Sequence, residues 1–121
     1  MSSDPASTPA LVFKVLRAPE AAAFVAEGRF AGSADDLRDG FVHLSTREQL
    51  PGTLSRHFAG EDGLWLAALA TAALGAPLRW EPSRGGALFP HLYRPIGRED
   101  LVWLAPIATG PDGPRLPALA G

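Results

Sequence analysis

The stretch GFVHLSTREQL, residues 40–50, sets His43 and Ser45 two positions apart on a segment that otherwise reads as strand followed by helix. Imidazole exchanges its proton nearest neutral pH, and a hydroxyl beside it can donate or accept a hydrogen bond. Further on, RWEPS carries Arg79 and Glu81, SRGG joins Arg84 to two glycines, and FPHLY brings Phe89, His91 and Tyr93 onto one strand face. A cation beside glycines, whose backbone allows close approach, suits a phosphate or diphosphate. A row of aromatic and imidazole rings can stack on a flat ring and hydrogen-bond at its edge. Each residue also has a plainer role. Ser45 can cap a helix, His43 can sit hydrogen-bonded at a core edge, Arg79 and Glu81 can form a surface ion pair of small energetic weight, and Phe89 can pack in a core. His57, next to Phe58 on the flank of a helical stripe, reads as packing.

Several chemistries are excluded or disfavoured. The chain has no cysteine, which removes disulfide scaffolding, thiolate zinc sites and thiol nucleophiles. No two of the histidines have the spacing of a zinc protease motif, so no metal is expected. No Gly-x-Ser-x-Gly elbow is present for a serine hydrolase. A formal net charge of -2 and a pI near 5.9 give no basic field for nucleic acid or an anionic membrane, so nucleic acid is not an expected partner and any nucleotide contact must be local. The most apolar run, LWLAALATAAL, is shorter than the roughly 18 residues that span a bilayer. MSSDPASTPA lacks a secretory pattern, and a cytoplasmic protein is expected.

The elements that must position these side chains follow from local pattern. With 121 residues, 46% hydrophobic and 20% charged, the chain suits one folded domain. LVFKVL (11–16) reads as a strand buried on both faces, with Lys14 standing out as its one charge. APEAAAFVAEG reads as a short helix with Pro19 in its first turn, Glu20 favoured by the helix dipole and Gly28 as its stop. RFAGSADDLRDG reads as a polar surface loop. In FVHLS the two-residue period turns Phe41, His43 and Ser45 to one face and Val42 and Leu44 to the core. Ser45 with Glu48, or Thr46 with Gln49, fits a capping box, and Leu50, Leu54 and Phe58 form the stripe of a helix whose main body begins near Pro51. LWLAALA, PLRWEPS, an aromatic segment around FPHLY, and LVWLAPI complete the strands, Pro82 ending its ladder or marking an edge. Residues 1–10 are expected to be disordered, and the Pro- and Gly-rich tail over 108–121 to form neither ladder nor helix. Irregular mixing of helices and strands indicates an α+β fold.

DGFVHLST, RWEPS and FPHLYRPI, in this order within 11–107, resemble a bacterial family known as domain of unknown function 952. That resemblance implies an ADP-ribosyltransferase-like fold, in which two small β-sheets with short helices splay apart around a nucleotide cleft. VHLS, then a helix, a buried strand and VWL followed by a proline is similar, more distantly, to the C-terminal half of the RNA 2′-phosphotransferases, which use NAD on the same fold. There a histidine on each of the first two core strands contacts the dinucleotide. His43 matches the second; the first falls in VFKVL, where this chain has Lys14.

The resemblance therefore implies NAD or a related ADP-ribose-containing nucleotide as ligand, with ADP-ribosyl transfer or NAD glycohydrolysis as the activities to test. Lys14, Phe41, His43, Ser45, Arg79, Arg84, His91 and Tyr93 would bind it, His43 through a ribose or an amide, and Glu81 is the candidate carboxylate beside the developing positive charge at the anomeric carbon. The rival expectations are a non-catalytic module that binds a nucleotide or an ADP-ribosylated partner, and a structural domain without a small ligand.

Overall fold

Strand periodicity explains how one short strand can serve two cores. In β1 (Leu11–Leu16), Val12 and Leu16 turn to one side and Phe13 and Val15 to the other, and all four are buried. Each set joins a separate apolar cluster: Val12 and Leu16 with Phe24, Val42, Leu44 and Leu69, and Phe13 and Val15 with Leu50, Leu54, Leu64 and Leu66. Lys14 lies on the Val12 side, where an unpaired ammonium would be costly.

The computed structural model describes residues 8–111 and 113–117. β1 pairs antiparallel with β4 (Trp65–Ala70), which pairs antiparallel with β8 (Leu101–Pro106), giving a three-stranded sheet with β4 in the middle. A second three-stranded sheet has the order β3 (Val42–His43), β6 (Leu88–Leu92), β5 (Leu78–Pro82). Pro82 ends β5, at the outer edge of that sheet, where its missing N–H breaks no ladder. β2 (Arg29–Phe30) pairs with β7 (Ile96–Gly97). The fold is thus mixed α+β, built from small antiparallel sheets and short helices.

The helices follow their capping signals. α1 (Ala18–Glu27) begins where the Arg17 N–H donates to Glu20 Oε1 and ends at Gly28, whose φ of 76° is the left-handed stop that glycine permits. α3 (Leu50–His57) buries Leu50 and Leu54 and carries Pro51 in its first turn, where no ladder bond is lost. The Thr46–Gln49 pair forms the reciprocal box ahead of it, at 3.0 and 3.2 Å, while Ser45 does not cap. A further turn of helix, α4 (Thr71–Leu74), follows β4. No helix among the described residues is long and apolar enough to cross a membrane.

Two expectations are corrected. RFAGSADDLRDG is not a plain loop: it contains β2 and the helix α2 (Ala34–Asp39), whose Ser33 and Asp36 cap each other. The tail does form a ladder, since β9 (Ala108–Gly110) and β10 (Gly113–Arg115) make a hairpin; both prolines in it avoid a needed N–H, Pro111 in the turn and Pro114 on a two-stranded ladder. Of the expected disordered start, residues 1–7 lie outside the described residues, as do 118–121 of the tail.

Candidate functional site

A cavity of about 240 Å³ opens where β1 meets the second sheet, with α2 and α3 closing its sides. β1 contributes Phe13 and Lys14, β3 and the residues after it His43 and Ser45, and β6 Phe89 and His91. Backbone bonds bring these strands together, Phe13 N–H to Ser45 O at 2.8 Å and Ser45 N–H to Phe13 O at 2.9 Å. The alternation read from FVHLS holds: Val42 and Leu44 are buried in the core, while His43 and Ser45 reach the cavity.

Asp36 organises one wall. Its side chain is 1% exposed, and its Oδ2 lies 2.8 Å from Lys14 Nζ while Oδ1 lies 2.7 Å from His43 Nδ1. It also accepts the backbone N–H groups of Ser33 at 2.9 Å and His43 at 3.1 Å. Burial pushes this carboxyl up, but the His43 bond, the Lys14 charge and bond, and the Ser33 amide together hold it well below the usual carboxylate range. Lys14 completes its own shell by donating to His43 O at 3.1 Å. The charge that stood out on β1 is therefore matched by a buried acid. Asp39 faces the other ring nitrogen of His43, Nε2, at 3.0 Å, and is held below its ordinary value by the Arg38 hydrogen bond and charge.

The opposite wall is built around His91. Its Nδ1 lies 2.8 Å from Glu81 Oε1, an oxygen that also accepts the Tyr93 hydroxyl at 2.7 Å. Tyr93 and then His91 hold Glu81 below its ordinary value, and Glu81 raises Tyr93. Phe41 stacks on His91 at 4.1 Å, with Tyr93 5.2 Å away, and the Arg79 guanidinium lies 5.3 Å from the Tyr93 ring. Ser45 Oγ pairs with Thr53 Oγ1 at 2.8 Å, which replaces the capping role its position suggested.

Of the residues singled out in the sequence, Lys14, His43, Ser45 and His91 line the cavity. Phe41, Arg79, Glu81 and Tyr93 form the cluster behind His91. Arg84 belongs to a tight 3-10 turn beside the cavity residue Ser83, and its side chain lies outside the described residues. His57, read as packing, is on the cavity wall, as are Asp36 and Asp39, which the sequence reading passed over. Two signals pointed to Asp36: the Ser33-x-x-Asp36 box spacing, and a lysine in a buried strand that required an acid. Among the described residues no cluster of side chains is arranged to hold a metal ion.

The chain is similar to protein CC0527 from Caulobacter crescentus. The crystal structure of CC0527 shares 46% identity, with a TM-score of 0.82 over 87% of this chain and 93% of that one. Its solution NMR structure gives 45% identity and a TM-score of 0.78 over 88% and 91%. No curated protein matches the chain. The profile of the family described as "Protein of unknown function (DUF952)" matches residues 15–104, and the chain belongs to that family.

Proposed function

We propose that the cavity binds NAD or a related ADP-ribose-containing nucleotide, with the nicotinamide-ribosyl end inward. The observation that carries this reading is the make-up of the wall: imidazoles at His43 and His91, hydroxyls at Ser45 and Thr53, and aromatic rings at Phe13 and Phe89 around one small space. Hydroxyls and imidazoles complement ribose and carboxamide groups, and aromatic faces complement a flat ring. The volume of about 240 Å³ falls below the roughly 300–1,000 Å³ of drug-sized pockets and suits a nucleoside rather than a whole dinucleotide.

Charge supports the same orientation. The wall's cations Lys14, Arg17 and Arg38 are already paired, with Asp36, with Glu61, and with Asp35 and Asp39 respectively. A diphosphate inside would have to break these pairs and would face the wall carboxylates Glu20, Asp35 and Asp39, which repel it. The diphosphate then falls to the rim beside Ser83, where Arg84 and its glycines follow in sequence.

Binding without transfer is a second reading, and one observation favours it. Glu81, the carboxylate expected beside the anomeric carbon, stands outside the cavity wall among the described residues with Oε1 taken by His91 and Tyr93. Thermal melts with NAD, ADP-ribose and nicotinamide test binding. A native-state ligand at about 100 times its Kd adds about 2.7 kcal/mol of stability. A nicotinamide-release assay then separates transfer from binding alone. No shift with any of the three ligands would sink the nucleotide reading.

A further inference from the structure

His43 and His91 are paired directly across β3 and β6, with ring centroids 5.6 Å apart, yet their nitrogens are committed differently. His43 has a carboxylate oxygen at each: Asp36 at Nδ1, 2.7 Å away, and Asp39 at Nε2, 3.0 Å away. Both of its ring nitrogens are thereby occupied by the wall itself. His91 has Glu81 at Nδ1, 2.8 Å away, and no hydrogen bond or ion pair at Nε2 among the described residues. The His91 side chain is 7% exposed and lines the cavity.

The Glu81 oxygen fixes the polarity of this contact. Glu81 Oε1 already accepts the Tyr93 hydroxyl at 2.7 Å, and an ionised carboxylate can only accept, so His91 must meet it with an Nδ1–H. A neutral imidazole carrying its hydrogen on Nδ1 keeps a lone pair on Nε2. The Phe41 ring, stacked at 4.1 Å and 27°, restrains the tilt of His91. Among the described residues Nε2 is not one of the buried side-chain atoms without a partner, so it is open to solvent in the cavity, where a ligand's donor can take the place of water.

We propose that Glu81 is a positioning residue that holds His91 in its Nδ1–H tautomer, making His91 Nε2 the hydrogen-bond acceptor that a ligand's hydroxyl or amide N–H meets in the cavity. This rests on reading the cavity as a ligand pocket. It gives the two histidines opposite tasks: His43 is a fixed part of the wall, and His91 is the group open to a ligand. It also gives Glu81 a role that does not require contact with a reacting atom.

The test is a two-bond 15N–1H correlation of the imidazoles at neutral pH, on uniformly labelled full-length protein. The expected result is a pyrrole-type Nδ1 and a pyridine-type Nε2 for His91. A hydrogen on His91 Nε2 overturns the proposal. Glu81→Gln, on an edge strand with a third of its side chain exposed (34%), keeps the fold and is expected to produce a mixture of both tautomers. Tyr93→Phe keeps the carboxylate and is expected to leave the Nδ1–H tautomer in place. An unmixed Nδ1–H signal in folded Glu81→Gln would remove the positioning role. Adding ADP-ribose, NAD and nicotinamide to the wild type separates the two readings. A shift at His91 Nε2 supports both, while a persistent pyridine-type Nε2 that no ligand moves supports the tautomer assignment and counts against the nucleotide.

Discussion

Lys14 Nζ lies 2.8 Å from Asp36 Oδ2, with 8% and 1% of the two side chains exposed, so the cavity wall rests on an ion pair almost wholly removed from water. Such a pair gives little net stability over a well-packed apolar pair, but losing one member strands the other. Lys14→Met is therefore expected to lower folding stability by about 3–5 kcal/mol. Combining it with Asp36→Asn should recover part of that loss, and denaturant melts of both singles and the double read the coupling. Additive losses would show that the two residues do not act as a pair.

The same carboxylate predicts a pH dependence. Asp36 is held below its ordinary value in the folded chain, whereas an unfolded aspartate titrates near about 3.9. The unfolded state therefore takes up protons first as pH falls, and the stability from Asp36 is full above about pH 5 and declines below it. Asp100 adds to the trend, since Arg94 and the Gly97 amide outweigh burial and lower it. Asp36→Asn should be less stable at neutral pH and lose stability less steeply in acid. Parallel wild-type and variant curves of melting temperature against pH would contradict this.

Gly32→Ala tests the site through the backbone. Gly32 has φ of 139°, and an added Cβ would stand 2.7 Å from Asp36 Cβ, so the aspartate must shift. A left-handed alanine already costs about 1–2 kcal/mol. The expected outcome is a lower melting temperature with displaced His43 imidazole signals in NMR spectra.

Arg94→Lys serves as a control outside the cavity wall. Arg94 holds Asp100 with both arms, at 2.8 and 3.0 Å, and also donates to the carbonyls of Ala73 and Leu74 at the end of α4. An ammonium cannot reproduce that fork. Thermal melts should show a loss of about 1.5–3 kcal/mol. His43 and His91 signals should not move.

Val42→Ala and His43→Ala separate core from cavity. Val42 is buried in the core, and its truncation should cost about 2 kcal/mol while leaving ADP-ribose affinity unchanged. His43→Ala should weaken ADP-ribose by calorimetry through disturbance of the wall rather than through a lost ligand contact, since both ring nitrogens already face Asp36 and Asp39. It should also destabilise the fold, because Asp36 Oδ1 loses a 2.7 Å partner.

Elements with strong periodic burial were legible in the sequence. The Leu50, Leu54 and Phe58 stripe, the LWLAALA strand, and the split of Val42 and Leu44 from His43 and Ser45 each follow from spacing alone. What escaped was α2, a single polar turn and a half whose one buried side chain is an aspartate. Local pattern gives ADDLRD no apolar stripe, and the reason it folds is non-local: Lys14 stands twenty-two residues earlier in the chain. The hairpin of β9 and β10 escaped for the opposite reason, since prolines that argue against an inner strand say nothing against a two-stranded ladder.

The reciprocal backbone bonds between Phe13 and Ser45, with a third from Leu44 N–H to Pro90 O at 3.0 Å, rivet one edge of the first sheet to the second. Jaws joined in this way cannot swing about that seam without breaking ladder bonds. The cavity behaves as a preformed socket, and a ligand that fits should associate in a single kinetic step whose observed rate rises linearly with concentration, without the plateau that a slow opening motion imposes.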